Sequence, residues 1–191
     1  MTLPGDFDKF ASKVQETVAK SWKMFLIEGI LLVILGLAAI IVPPLASVAV
    51  TIFLGWMFLI SGIAGLAFSF WAREMPGFWW SLLSAVIALA AGVLLLWRPL
   101  EGTLTLTIVV GAYFLAEGVS TIMYSLEHRR ELTDRWGWLL AAGIMDILIA
   151  AIIIVGLPGS ATWALGLLVG INLVFGGASL IGLAMAARNA S

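Results

Sequence analysis

Long apolar stretches alternate with short polar breaks along the whole 191-residue chain. Six of the stretches reach roughly 20 residues, the length an α-helix needs to cross a hydrocarbon core of about 30 Å. They run Trp22–Val42, Ala46–Trp71, Phe78–Trp97, Gly102–Tyr124, Trp136–Gly156 and Ser160–Ala187. The breaks carry proline or charge: Pro43-Pro44, Arg73-Glu74-Met75-Pro76, Arg98-Pro99, the polar Glu127–Arg135 segment and Pro158-Gly159. Proline lacks the backbone N–H and disfavours helix in its predecessor, so Pro43, Pro99 and Pro158 are expected in hairpin turns. The pattern predicts an all-α membrane protein with six transmembrane helices. The first apolar run, from Met24, is too long for a signal-peptide core and has no A-x-A-like site after it, so it is expected to be a retained span.

Before that span, Phe7, Phe10, Val14 and Val18 recur at helical spacing, with Lys9, Lys13, Glu16 and Lys20 on the other face and Asp6 as a plausible N-cap. Residues 1–21 are therefore expected to form an interfacial segment on the membrane surface, with residues 22–187 as the transmembrane domain.

Lys and Arg set the expected orientation. With the N-terminus cytoplasmic, that side holds Lys9, Lys13, Lys20, Lys23, Arg73, Arg129, Arg130, Arg135 and Arg188, and the other side only Arg98. Such a bias over short loops places both termini in the cytoplasm, and an even number of spans agrees. Trp22, Trp71, Trp79, Trp80, Trp97, Trp136 and Trp138 stand at span ends, where an amphipathic ring belongs.

Composition narrows the function classes. Hydrophobic residues make up 62% and charged residues 11%, against about half and about a quarter in soluble domains. A net charge of −1 gives no reason to expect a nucleic acid. Having no cysteine removes disulfides, thiolate nucleophiles and Cys-held metal. One histidine, His128 in a charged loop, cannot supply the two ligands of H-E-x-x-H, nor an intramembrane Ser–His dyad. Only one aspartate, Asp146, lies within a span, and no P-loop occurs. The expectation is a non-enzyme with no cofactor and no metal.

The spans repeat. Pro43, Gly55 and Gly62 match Pro99, Gly111 and Gly118, which match Pro158, Gly170 and Gly177; each set reads P-x11-G-x6-G. Gly36 and Gly92 each stand seven residues before their proline, a place Ala151 takes in the third unit. This predicts three tandem helical hairpins, about 22–71, 78–124 and 136–187, built on one plan. Glycines seven apart share a helix face, and a small-residue face lets backbones approach in lipid. Gly166-x-x-x-Gly170, Ser61-x-x-x-Gly65 and Ala178-x-x-x-Gly182 add to that tendency. Such faces could pack helices within the chain or join copies into a homo-oligomer; the lipid bilayer is the one partner the composition requires.

These units, with Gly143-Ile144-Met145-Asp146-Ile147-Leu148-Ile149-Ala150 and Leu168-Val169-Gly170-Ile171-Asn172-Leu173-Val174-Phe175, resemble the HdeD family of bacterial membrane proteins over about Trp22 to Ala187. The resemblance implies a multi-pass protein of the bacterial inner membrane linked to acid resistance. It carries no agreed catalytic mechanism. An acidic residue is expected at position 172 in some relatives, where this chain has Asn172.

Charge inside a membrane is costly, which makes Glu28, Glu117 and Asp146 the candidate functional side chains. By helical rise, Glu28 lies about 9 Å past Trp22, and Glu117 comes to a similar depth on a span running the other way. Asp146 and Asn172 both fall near mid-span. Two depth-matched pairs are thus expected, Glu28 with Glu117 and Asp146 with Asn172. Low dielectric favours the neutral form of a carboxyl, so such groups could respond to protons as an acid sensor or proton path. They could equally be neutral donors bonded to Ser61, Ser84, Thr121 or carbonyls, holding helices together. Arg98 and Glu101 are expected to form a local ion pair, and Thr103, Thr105 and Thr107 to bond the preceding turn rather than line a path. Two functions remain: a non-enzymatic acid-stress protein, or a small proton or solute transporter or channel. The latter needs a continuous polar route, whereas the polar residues here are isolated.

Overall fold

The computed structural model describes residues 22–71, 73, 77–129, 131 and 136–189. The expected helix over Asp6–Lys20 lies outside the described residues. Six long helices follow in order: α1 Trp22–Ile41, α2 Pro43–Trp71, α3 Phe78–Trp97, α4 Pro99–Glu127, α5 Trp136–Val155 and α6 Ala164–Asn189, with a 3₁₀ turn Gly159–Thr162 before α6. All six are long and apolar enough to cross a membrane. The chain divides into two units, one of residues 1–42 and 167–191 and one of residues 43–166.

Two helix starts differ from the expectation. Pro43 and Pro99 are not turn residues but the first residues of α2 and α4. The first turn of a helix has no intrahelical partner for its N–H groups, so proline with its fixed φ suits that position. Pro158 does stay in the connection, and its bond to Leu157 is cis. The Ser160 hydroxyl there donates to the Ile153 carbonyl at 2.6 Å, satisfying an acceptor in the last turn of α5. Between α2 and α3, Gly77 has φ +97°, a left-handed conformation that a Cβ would strain.

The packing is made mainly of small residues, with Leu95, Ile153 and Leu165 as the large side chains buried among them. The buried side chains include Ala85, Ala150, Ala161, Ala164 and Ala184, and the hydroxyls of Ser47, Thr51, Ser69, Thr103, Thr107, Ser125 and Ser160. Phe53, Trp56, Phe70, Trp97 and Phe175 are exposed. In lipid there is no hydrophobic force between helices, so close backbone approach and satisfied polar groups must hold them together.

In the second unit the dominant pairs are α2 with α3 and α4 with α5. A Cβ on Gly62 would lie 2.6 Å from the Leu89 nitrogen, and one on Gly92 2.9 Å from the Gly55 carbonyl oxygen. Across α4 and α5 the contact is reciprocal: a Cβ on Gly118 would meet the Gly143 oxygen at 2.7 Å, and one on Gly143 the Gly118 oxygen at 2.8 Å. In the first unit α1 and α6 pack by the same rule, Gly29 against Gly177 and Gly36 against Gly170, again through backbone oxygens at 2.6–2.9 Å. Close approach therefore joins α2 to α3 and α4 to α5 across the boundaries of the sequence repeats.

These contacts correct the repeat's register in one place. The small residue of α5 equivalent to Gly36 and Gly92 is Ala150, fully buried, and not Ala151, which is exposed. One more residue separates it from Pro158 than separates Gly92 from Pro99, which is why the third proline falls in a turn. Of the additional small-residue pairs, Gly166 and Gly170 are buried, but Ser61, Ala178 and Gly182 are exposed, and nothing lies within 4 Å of a Cβ built on Gly182.

Candidate functional site

The intramembrane carboxyls divide between the units. Glu28 on α1 and Asn172 on α6 belong to the first, and both are exposed. Glu117 on α4, exposed, and Asp146 on α5, half-buried, belong to the second. Within the second unit the fold brings Glu117 and Asp146 into electrostatic interaction with each other and with Tyr113, one turn before Glu117 on α4.

The local sequence explains this meeting. Gly118 and Gly143 face each other with almost no space between the backbones. The residue before Gly118 and the residue three after Gly143 therefore flank one narrow seam. Small residues there make the separation of α4 and α5 short. Ser61 and Ser84 are exposed, and among the described residues neither they nor Thr121 hydrogen-bonds to these acids. The arrangement offers two carboxyls and a phenol, groups that can hold, share and pass a proton.

A second polar feature is buried at the proline end of the second unit, where Thr103 and Thr107 bond the preceding turn as expected and Ser47 and Thr51, not singled out by the sequence, join them. Thr51 and Thr103 hydroxyls meet at 2.8 Å between α2 and α4. Thr51 also reaches the Ser47 carbonyl at 3.0 Å, Thr103 donates to the Pro99 carbonyl at 2.7 Å, and Thr107 to the Thr103 carbonyl at 2.7 Å. Thr105 donates to the Glu101 carbonyl at 3.0 Å. The Gly166 N–H donates to the Ser47 hydroxyl at 2.9 Å. These hydroxyls are consumed by carbonyls and by each other, which makes them a structural clasp. At the opposite end Ser69 and Ser81 hydroxyls bond at 2.8 Å between α2 and α3.

The signal for these residues was in the repeat. Ser69, Ser125 and Ala184 each stand seven residues after Gly62, Gly118 and Gly177, and all three are buried. Thr51, Thr107 and Gly166 likewise stand four before Gly55, Gly111 and Gly170. At the start of α4, Arg98 and Glu101 form an exposed ion pair at 2.8 Å. His128 caps α4, stacked on Tyr124 with ring centroids 4.4 Å apart. In the first unit, the Trp22 ring lies under both Lys23 and Arg188.

The sequence matches a short repeat of unknown function, DUF308, twice, over residues 27–97 and 85–155. Among curated proteins it is similar to "Protein HdeD" of Escherichia coli strain K12, at 30% identity over 160 residues, 82% of each chain. The same protein of Escherichia coli O157:H7 and of Shigella flexneri matches to the same extent. No solved structure matches. Two copies of the repeat, six membrane-length helices and identity across most of both chains lead to one conclusion: the chain belongs to the HdeD family of multi-pass, short-repeat membrane proteins.

Proposed function

We propose that this is a non-enzymatic protein of the bacterial inner membrane that contributes to acid-stress resistance, with Glu117 and Asp146 as its proton-responsive groups. The observation that carries the reading is that Glu117 and Asp146 stand beside the close Gly118–Gly143 contact of α4 and α5, near enough to interact electrostatically. Two carboxylates that interact in a medium of low dielectric are costly to keep charged together, so a proton shared between them changes the energy of the seam. Uptake of that proton couples acidity to the α4–α5 pair. Both termini are assigned to the cytoplasm because of the Lys and Arg distribution. The acid-stress assignment rests on the family resemblance taken together with the carboxyl pair.

The test is survival and cytoplasmic pH after acid challenge in a null strain. The null is complemented by the wild type or by equally expressed Glu117→Gln, Asp146→Asn double variant. Protection by the wild type and failure of the double variant is the expected outcome. Equal protection by both would make the carboxyls structural.

A further inference from the structure

We propose that a groove between α2, α3 and α4 binds one phospholipid with a primary-ammonium headgroup. Its acyl chain lies in the groove, its phosphate on Arg98 and its ammonium on Glu101. The proposal is independent of the carboxyl reading above.

The groove has a volume of about 450 Å³, within the size range of ligand clefts. Its walls are hydrocarbon, with Phe58 from α2, Ala91 and Leu94 from α3, and Leu106 and Val109 from α4. The Thr105 hydroxyl on the wall is already donated to the Glu101 carbonyl, so the interior asks for no polar partner. An occupant must be apolar along its length.

Charge is confined to one end. Arg98 and Glu101 line the groove there, with side chains 65% and 68% exposed, and are joined by a single 2.8 Å bond. A guanidinium has five N–H donors and a carboxylate two oxygens, so both retain capacity after that bond. A positive and a negative group side by side complement a zwitterion. The phosphate would accept from Arg98 in a charge-assisted bond, and the ammonium would donate to Glu101. An anionic headgroup brings its charge against Glu101, and a quaternary ammonium has no proton to donate to it. Trp97, exposed beside Arg98, is the type of residue that marks the headgroup level. The charge pair thus sits at headgroup depth, with the groove running from it into the hydrocarbon.

Native mass spectrometry of the full-length protein released from detergent micelles tests this. It is titrated with phosphatidylethanolamine, phosphatidylcholine and phosphatidylglycerol of identical chains. The wild type should retain phosphatidylethanolamine about tenfold more than either competitor, the size expected for one charge-assisted bond. Glu101→Gln should remove that advantage over both competitors, whereas Arg98→Gln, which loses the phosphate contact common to the three, and Ala91→Phe should each lower retention of all three lipids. Gel filtration and circular dichroism establish that each variant is folded; Thr105→Phe replaces Ala91→Phe if the latter is not. Equal retention of the three lipids by the wild type, preference for phosphatidylglycerol, a preference that survives Glu101→Gln, or retention unchanged by both Arg98→Gln and the groove-filling change overturns the proposal.

Discussion

Adjacent glycines on α6 give a controlled test of the packing argument. Gly176 and Gly177 differ by one position, but only Gly177 faces another helix. A Cβ on Gly177 would lie 2.6 Å from the Gly29 carbonyl oxygen, 2.8 Å from Val33 Cγ2 and 2.9 Å from the Val33 nitrogen. Two of these atoms are backbone, which cannot swing aside. Ordinary Cβ contact begins near 3.4 Å, so α1 and α6 must part by 3.4 − 2.6 = 0.8 Å at this level. A radial gap of about 0.5–1 Å forfeits a quarter to a half of each contact's dispersion energy. In lipid no hydrophobic term offsets that loss. Overpacking of this kind costs about 1–3 kcal/mol. A Cβ on Gly176 meets nothing within 4 Å, so Gly176→Ala keeps the contact and gains up to about 1 kcal/mol of helix propensity. Reversible unfolding in mixed micelles, followed by circular dichroism as the denaturing detergent fraction rises, should place Gly177→Ala at least about 1 kcal/mol below Gly176→Ala. If the two variants unfold together, or Gly177→Ala is the more stable, the small-residue seam is not what holds α1 to α6.

The same measurement extends to three other sites. Ser47→Ala leaves the buried Gly166 N–H without its acceptor and should cost about 1–3 kcal/mol, whereas Ser179→Ala, which removes an exposed hydroxyl bonded to the Phe175 carbonyl, should change little. Gly77→Ala should cost about 1–2 kcal/mol for its left-handed φ although the space is open, while Gly137→Ala, also in open space but helical, should cost nothing. Gly118→Ala should loosen α4 from α5 as Gly177→Ala loosens α1 from α6, since its Cβ would meet the Gly143 oxygen at 2.7 Å and the Ile147 nitrogen at 3.0 Å.

Much of the architecture was legible in the sequence because a membrane span is read from length and apolarity alone. All six helices fall on the six apolar stretches. The errors lie at the ends, where two physical effects compete. Proline breaks a helix that precedes it but starts one that follows, and at Pro43 and Pro99 the second effect wins. At Pro158 an added residue shifts the proline out of phase, and α6 begins only at Ala164. The seven-residue spacing of Gly55, Gly111 and Gly170 with their partners was visible. Which helix each glycine faces was not, because a small-residue face carries no label for its partner. The meeting of Glu117 and Asp146 was hidden for the same reason: helical rise gives depth along one span but not the register between two. Once Gly118 is set against Gly143, that register follows. Thr103, Thr105 and Thr107 bond the preceding turn as their sequence suggests, whereas the Thr51–Thr103 contact joins residues 52 positions apart and no local pattern announces it.

The proposed function requires Glu117 and Asp146 to take up protons as a unit inside the membrane. Infrared difference spectroscopy of the purified protein in lipid bilayers addresses it directly, because the carbonyl stretch of a protonated carboxyl is separate from that of a carboxylate. Spectra would be recorded as the medium is taken from neutral to acid for the wild type, Glu117→Gln, Asp146→Asn and the double variant. A carboxyl band should grow with acidity in the wild type. Because nine other Asp and Glu side chains also take up protons, the pair's contribution is the part of the band that the double variant lacks, and each single variant should shift the midpoint of what is left of that part. A midpoint that is the same in the wild type and both single variants would show that the two groups do not act on one another, and a band unchanged in the double variant would show that neither takes up the proton.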